Sequence, residues 1–139
     1  MIFKTASPPS QSLKEIVKPV LTRLAQVEVL LEAVAEESEG ILREASVYVL
    51  SGGGKRLRAA LVLYGASLKD PSEEIYDKAG LAACAVELIH SATLVHDDII
   101  DQAVIRRLKP TVNVRFGEDV AVLLGDFLYA RAFEMIAQV

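Results

Sequence analysis

Apolar positions along the chain recur in steps of three and four rather than in alternation. From Leu13 they fall at Ile16, Val17, Val20, Leu21, Leu24, Val27, Leu30, Leu31 and Val34. That spacing predicts an amphipathic helix closing near the acidic run Glu36–Glu39 and Gly40. Pro19 inside it predicts a kink or a late start. A second, shorter helix is predicted over Ile41–Leu50. After the break Ser51-Gly52-Gly53-Gly54, a third runs over Arg58–Leu68. Lys69-Asp70-Pro71-Ser72 reads as a turn, with Ser72 placed to cap the next helix and Glu73 and Glu74 suited to its first turn. That fourth helix extends from about Glu73 to about Asp101. It is apolar on most faces from Ala79 to Val95, as a helix enclosed by others must be. Gln102–Pro110 reads as a loop, Pro110-Thr111 to Phe116 as a short helical piece closed by Gly117, and Glu118–Val139 as a last helix. Val104–Leu108 and Thr111–Phe116 alternate only briefly. The expected fold class is all-α. Residues 1–12, with their Pro/Ser-rich stretch, are expected to be a flexible arm, and residues 13–139 one helical domain.

Composition narrows this picture. A chain of 139 residues that is 52% hydrophobic can bury a sizeable core. Aromatics are few and Trp is absent, so aliphatic and alanine packing dominates, which suits close-packed helices. The net charge of −4 argues against a general nucleic-acid binder. The single cysteine, Cys84, excludes an intramolecular disulfide and fits a reducing, cytoplasmic compartment. It sits among Ala and Leu and reads as a buried, inert thiol. The N-terminus lacks the long apolar segment of a signal peptide. Ala79–Val95 raises a membrane question, but Glu87 and His90 lie inside it. A buried central helix is therefore the better reading, and no transmembrane segment is expected.

The chemistry gathers on Glu87–Asp101, ELIHSATLVHDDIID. An apolar run ends in three carboxylates, Asp97, Asp98 and Asp101. On a helix, Asp97 and Asp101 share a face one turn apart and repel each other unless a cation sits between them. Mg²⁺ suits that place, because it takes oxygen ligands and keeps positions free for phosphate oxygens. A solvated acidic helix end is the plainer reading, but acids are disfavoured at helix C-termini. Upstream, the glycine-rich turn is followed by Lys55 and Arg58, a basic pair suited to phosphate through the helix N-terminus and an Arg fork. A P-loop is excluded by spacing and by the missing strand. Arg106-Arg107 follows the acids closely. Alone, such a pair is usually a surface feature. Beside a metal site it supplies cations for the remaining oxygens of a diphosphate. His90 stands two turns before Asp97 on nearly the same face and reads equally as a core histidine or a ligand. For His96 a packed or solvent-bonded role is the default. The histidine spacing gives no zinc site.

Taken together, Gly53-Gly54-Lys55-Arg56-Leu57-Arg58, Glu87-Leu88-Ile89-His90, Asp97-Asp98-Ile99-Ile100-Asp101, Arg106-Arg107-Leu108-Lys109-Pro110-Thr111 and Leu124-Gly125-Asp126 resemble, in this order, the N-terminal half of the trans-type isoprenyl (polyprenyl) diphosphate synthases. The likeness covers about Leu42 to Val139. It implies an antiparallel helical bundle of the isoprenoid synthase type, with the reaction cavity in its middle. It further implies that Asp97 and Asp101 ligate Mg²⁺, with Asp98 beside them in the catalytic set. Lys55, Arg58, His90 and Arg107 would contact isopentenyl diphosphate, and Arg106 the allylic diphosphate. The reaction would be ionisation, condensation and elimination. Bulk just upstream of the first aspartate governs product length in this family. Thr93 lies one turn beneath Asp97 and Ala92 precedes it. Neither is aromatic, which implies a medium-to-long all-trans product. The family also implies a homodimer.

Three departures stand out. Ala59 replaces the usual Pro, and Leu108 replaces the usual Gly after the Arg pair, where a side chain can restrain the loop. No second aspartate-rich motif follows Asp101. The chain is therefore expected to carry half of a synthase site and to be inactive alone. Two other readings remain. A terpene cyclase also carries DDxxD but has no isopentenyl diphosphate for Lys55, Arg58 and His90 to hold. A non-catalytic helical partner in a synthase complex would keep these motifs as relics.

Overall fold

The computed structural model describes residues 20–68 and 72–139. The expected N-terminal arm, the opening of the first helix with Pro19, and residues 69–71 of the turn lie outside the described residues. The order is α1 (Leu21–Glu36), α2 (Gly40–Leu50), α3 (Leu57–Ser67), α4 (Glu73–Ile100), β1 (Ile105–Arg106), β2 (Lys109–Pro110), α5 (Val112–Phe116) and α6 (Glu118–Ile136). The described residues are all-α apart from one short hairpin.

That hairpin is the main difference from the pattern-based reading, in which residues 102–110 are a loop. Ile105 pairs with Pro110 and Arg106 with Lys109, antiparallel. The two residues between them, Arg107 and Leu108, have φ of 50° and 64°. Left-handed conformation at both central positions matches the right-handed twist of the flanking strands in a tight hairpin. It is normally left to Gly or Asn, so Arg and Leu there give no sequence signal. A ladder of two residues per strand is also too short to show alternation.

α4 is the axis of the molecule and packs against α1, α3 and α6. Its N-terminus follows the expected rule. Ser72 accepts from the Ile75 N–H at 3.4 Å, and Glu73 and Glu74 occupy the first turn. By length and composition α4 is apolar enough to cross a membrane. Here it buries Ala83, Cys84, Ala85, Leu88 and Ala92 completely, along with most of Glu87 and Asp98. Each fully buried Leu contributes about 2 kcal/mol of transfer free energy. The alanines contribute less individually but let neighbouring helices approach closely. Burial pushes the Cys84 thiol up to about 12, which makes it inert.

α6 runs antiparallel to α4. Moving up α4 from Thr93 to His96, the partners on α6 move down from Tyr129 to Val122. The interface closes on Gly125. A methyl group there would come within 2.0 Å of His96 Nε2, so the glycine is required by the imidazole lying across it. His96 Nε2 is 3.2 Å from the Val122 carbonyl and 3.9 Å from Asp126 Oδ1, and its ring is 5.8 Å from that of Tyr129. The packed role expected of His96 is what is found, and it explains the glycine of Leu124-Gly125-Asp126.

Candidate functional site

A cavity of about 520 Å³ opens between the glycine-rich turn, the middle of α4 and the hairpin. Lys55, Arg58, Arg106, Arg107 and Lys109 give it a cationic wall, against which Glu87 and Asp98 are the acids. Val49, Leu94, Val95 and Val112 supply apolar surface. A site of this composition suits a polyanion carrying a short hydrocarbon chain.

Each cation is placed by identifiable contacts. Arg106 Nε donates to both oxygens of Asp98 at 2.9 Å, and its Nη2 lies 2.8 Å from Oδ1. Asp98 is 4% exposed, so this pair anchors the hairpin to the end of α4. The Asp98 hydrogen bond is the main cause of the raised Arg106 pKa, and Asp97 and Asp101 act in the same direction. Arg107 Nη1 donates to the Gly53 carbonyl at 3.0 Å, joining the hairpin tip to the glycine-rich turn. The Tyr48 hydroxyl donates to the Pro110 carbonyl at 2.7 Å, and Arg115 stacks over the Tyr48 ring at 4.3 Å. Thr111 Oγ1 donates to the Ala103 carbonyl at 2.7 Å and closes the base of the hairpin.

His90 faces the same cavity. Burial lowers its pKa first, Arg58 next, with Arg107 and Arg106 adding and Glu87 opposing. It is therefore held neutral near pH 7 and retains one donor and one acceptor nitrogen. The N-terminus of α3 differs from expectation in one respect. The Ala59 N–H donates to Glu87 Oε1 at 3.2 Å, so an internal carboxylate already takes part of that helix end. The side chains of Lys55 and Arg58 beside it are both exposed.

The structure thus brings Lys55, Arg58, His90, Asp98, Arg106 and Arg107 to one cavity. Asp97, Asp101, Ala92 and Thr93 are not part of its lining. Asp97 and Asp101 lie one turn apart at the end of α4, where the Asp101 N–H donates to the Asp97 carbonyl at 2.8 Å. Among the described residues no cluster of three or more metal-type ligands occurs. Ala92 is fully buried in the core. Thr93 Oγ1 donates to the Ile89 carbonyl at 2.9 Å and lies 2.9 Å from the Tyr129 hydroxyl. With its own proton committed to Ile89, Thr93 accepts from Tyr129. Tyr129 stacks in turn on Phe133 with ring centroids 6.4 Å apart.

Pattern reading missed Tyr48, Arg56, Tyr129 and the pairing of Asp98 with Arg106. Tyr48 and Tyr129 stand outside the motifs, each the single tyrosine of its helix. The Asp98–Arg106 pair depends on the hairpin, which the sequence did not signal.

The described residues thus form a helical bundle with a cation-lined cavity near an aspartate-rich helix end. The family model described as polyprenyl synthetase matches residues 39–139, and the chain belongs to that family. It is 50% identical over 99 residues to the short chain isoprenyl diphosphate synthase of Methanocaldococcus jannaschii, covering 70% of this chain and 29% of that protein. It is 40% identical over 115 residues to heptaprenyl diphosphate synthase component 2 of Geobacillus stearothermophilus, covering 83% and 35% respectively. The crystal structure of geranylgeranyl pyrophosphate synthetase from Pyrococcus horikoshii superposes with a TM-score of 0.81 at 32% identity, over 93% of this chain and 39% of that one. The chain spans about a third of the length of the curated relatives it matches.

Proposed function

We propose that the cavity binds isopentenyl diphosphate and that the acidic end of α4 receives the diphosphate of an allylic partner. The whole protein would then be a prenyltransferase that makes an all-trans polyprenyl diphosphate. The observation that carries this reading is the convergence of Lys55, Arg58, His90 and Arg107 on one cavity, with the Asp98–Arg106 pair in its wall. Family membership and the synthase names of the relatives support it.

The reaction breaks the C1–O bond of the allylic diphosphate, forms a carbon–carbon bond to the isopentenyl double bond, and releases a proton and inorganic diphosphate. Lys55 and Arg58 hold the isopentenyl diphosphate by charge, and neutral His90 donates one N–H. Arg107 adds a guanidinium edge. Arg106 spends Nε and Nη2 on Asp98, which leaves Nη1 to donate to the allylic diphosphate. In this reading Asp98 acts through Arg106. Asp97 and Asp101 fit Mg²⁺: they offer oxygen donors one turn apart, and Mg²⁺ is usually held by one or two carboxylates plus substrate phosphates. When bound, it would neutralise charge on the departing diphosphate. Thr93 marks the floor of the allylic pocket, with Tyr129 braced against it, and Ala92 lies behind it in the core. Their small size favours a medium-to-long product.

The test is calorimetric titration of inorganic pyrophosphate with and without Mg²⁺. Binding that Mg²⁺ strengthens, and that Lys55→Ala or Arg58→Ala weakens, is the expected result; no Mg²⁺-strengthened binding overturns the reading. Supplied with both diphosphates and Mg²⁺, residues 1–139 alone are expected to give no product, because they hold one aspartate-rich motif. Turnover would overturn that part. A second reading makes the chain one subunit of a two-component synthase. It is favoured by the likeness to heptaprenyl diphosphate synthase component 2. Sedimentation of the protein alone, where a homodimer is expected, separates the two.

A further inference from the structure

Arg56 stands in sequence between two cations, Lys55 and Arg58, yet its side chain is only 11% exposed. Its guanidinium is engaged on several sides. Nε donates to Glu28 Oε1 at 2.7 Å, and Nη2 donates to Glu28 Oε2 at 3.0 Å and to the Leu50 carbonyl at 2.9 Å. Nη1 lies 3.6 Å from Glu87 Oε2. The other oxygen of Glu87 accepts the Ala59 N–H at 3.2 Å. One side chain therefore ties α1, the end of α2, the start of α3 and α4 together, at the point where the glycine-rich turn enters α3.

The backbone supports this view. Arg56 has φ of 42°, in the left-handed region. A non-glycine residue there costs about 1 kcal/mol and persists where surrounding contacts over-determine it. Glycine is available to this turn, and Gly53 adopts φ of 69° three residues earlier. What keeps Arg at position 56 is the reach of its fork to two carboxylates and a carbonyl. No Lys can make that set of contacts, because a point charge has no second planar arm.

We propose that Arg56 is a positioning residue for diphosphate binding. Clamped between Glu28 and Glu87, it fixes the backbone from which Lys55 and Arg58 project and sets their distance from His90, which stands one turn beyond Glu87 on α4. This rests on reading Lys55 and Arg58 as the diphosphate ligands. Glu87 is the informative member. It is a carboxylate in the wall of an anion site, so on charge alone its removal tightens pyrophosphate binding. If it acts by holding Arg56, its removal weakens binding.

The test is pyrophosphate titration of Glu87→Gln, Glu28→Gln and Arg56→Lys, with helix content followed by circular dichroism and Lys55→Ala as reference. Glu87→Gln keeps an acceptor for the Ala59 N–H, and Glu28→Gln changes a rim residue, so both retain the fold. Glu87→Gln and Arg56→Lys are expected to weaken binding about tenfold, the scale on which an orienting partner acts. Glu28→Gln is expected to show a smaller loss in the same direction, all with unchanged helix content. Equal or tighter binding by Glu87→Gln, or unchanged binding by Arg56→Lys, overturns the proposal. Failure of Lys55→Ala to weaken binding indicts the underlying ligand reading instead.

Discussion

The two halves of the site are built by opposite strategies. On the cavity side Arg56, Arg106 and Arg107 are held by the protein itself, through Glu28 and Glu87, through Asp98, and through the Gly53 carbonyl. At the end of α4, Asp97 and Asp101 have no ion-pair or hydrogen-bond partner for their carboxylates among the described residues. They also sit at the helix end where the macrodipole opposes them. One half is pre-organised by these internal contacts, with Lys55 and Arg58 exposed beside them. The other is left under mutual repulsion, which a ligand can relieve.

This contrast makes substitutions on the two sides differ in kind. The largest effect is expected from Arg106→Ala. It leaves the Asp98 carboxylate, 5% exposed, without its cation, and should cost about 3 kcal/mol. Urea denaturation reads this directly; an unchanged midpoint would show that the pair does not anchor the hairpin. Next comes Leu108→Gly. Leu108 is 98% exposed with φ of 64°, so glycine removes strain at no loss of packing and should raise stability by about 1 kcal/mol. Thermal melting measures it. A fall in melting temperature would mean that the leucine itself holds the hairpin. Asp101→Asn is expected to gain about 0.5 kcal/mol through relief of repulsion at the helix end. The same variant should lose the Mg²⁺-dependent part of pyrophosphate binding. A variant that lost stability and kept Mg²⁺ dependence would abolish the distinction between the halves.

The smallest effect is on His90. Its folded pKa lies below the ordinary value because of burial and Arg58. The unfolded chain therefore takes up a proton before the folded one as pH falls below neutrality. Stability should decline from pH 7 toward pH 5 by this route, and His90→Gln should flatten the slope. A proton NMR titration should place the His90 midpoint below the free value and move it upward when pyrophosphate is added. A midpoint at or above the free value would break the electrostatic account of the cavity.

The sequence carried most of the fold because helices announce themselves locally. The steps of three and four from Val20 to Val34, the Ser72 cap and the apolar run of α4 are all short-range signals. The ligand candidates were legible for the same reason, since Lys55, Arg58, His90 and the Arg pair stand in compact motifs. What stayed hidden depends on distant partners. Asp98 looked like a third member of an acidic set, and only the hairpin, folded back by two left-handed residues, turns it toward Arg106. Arg56 carried no role of its own in the glycine-rich motif, and its engagement needs Glu28, from α1, and Glu87, from α4, at once. Tyr129 gained meaning only when α6 laid it against Thr93. Gly125 was readable as part of a motif, but its cause, the His96 ring, lies on another helix.

α4 also acts as a ruler. Glu87, His90, Thr93 and Asp97 all project from a single uninterrupted helix, and Asp101 caps its C-terminal end. The axial separation between His90 and Asp101 is therefore set by residue count, roughly 16 Å of rise for eleven steps. Side chains along it can be exchanged without changing that spacing. One inserted or deleted residue between His90 and Asp97 would swing the carboxylates by about 100° relative to the cavity. The helix therefore tolerates substitution in this segment far more readily than a change of length.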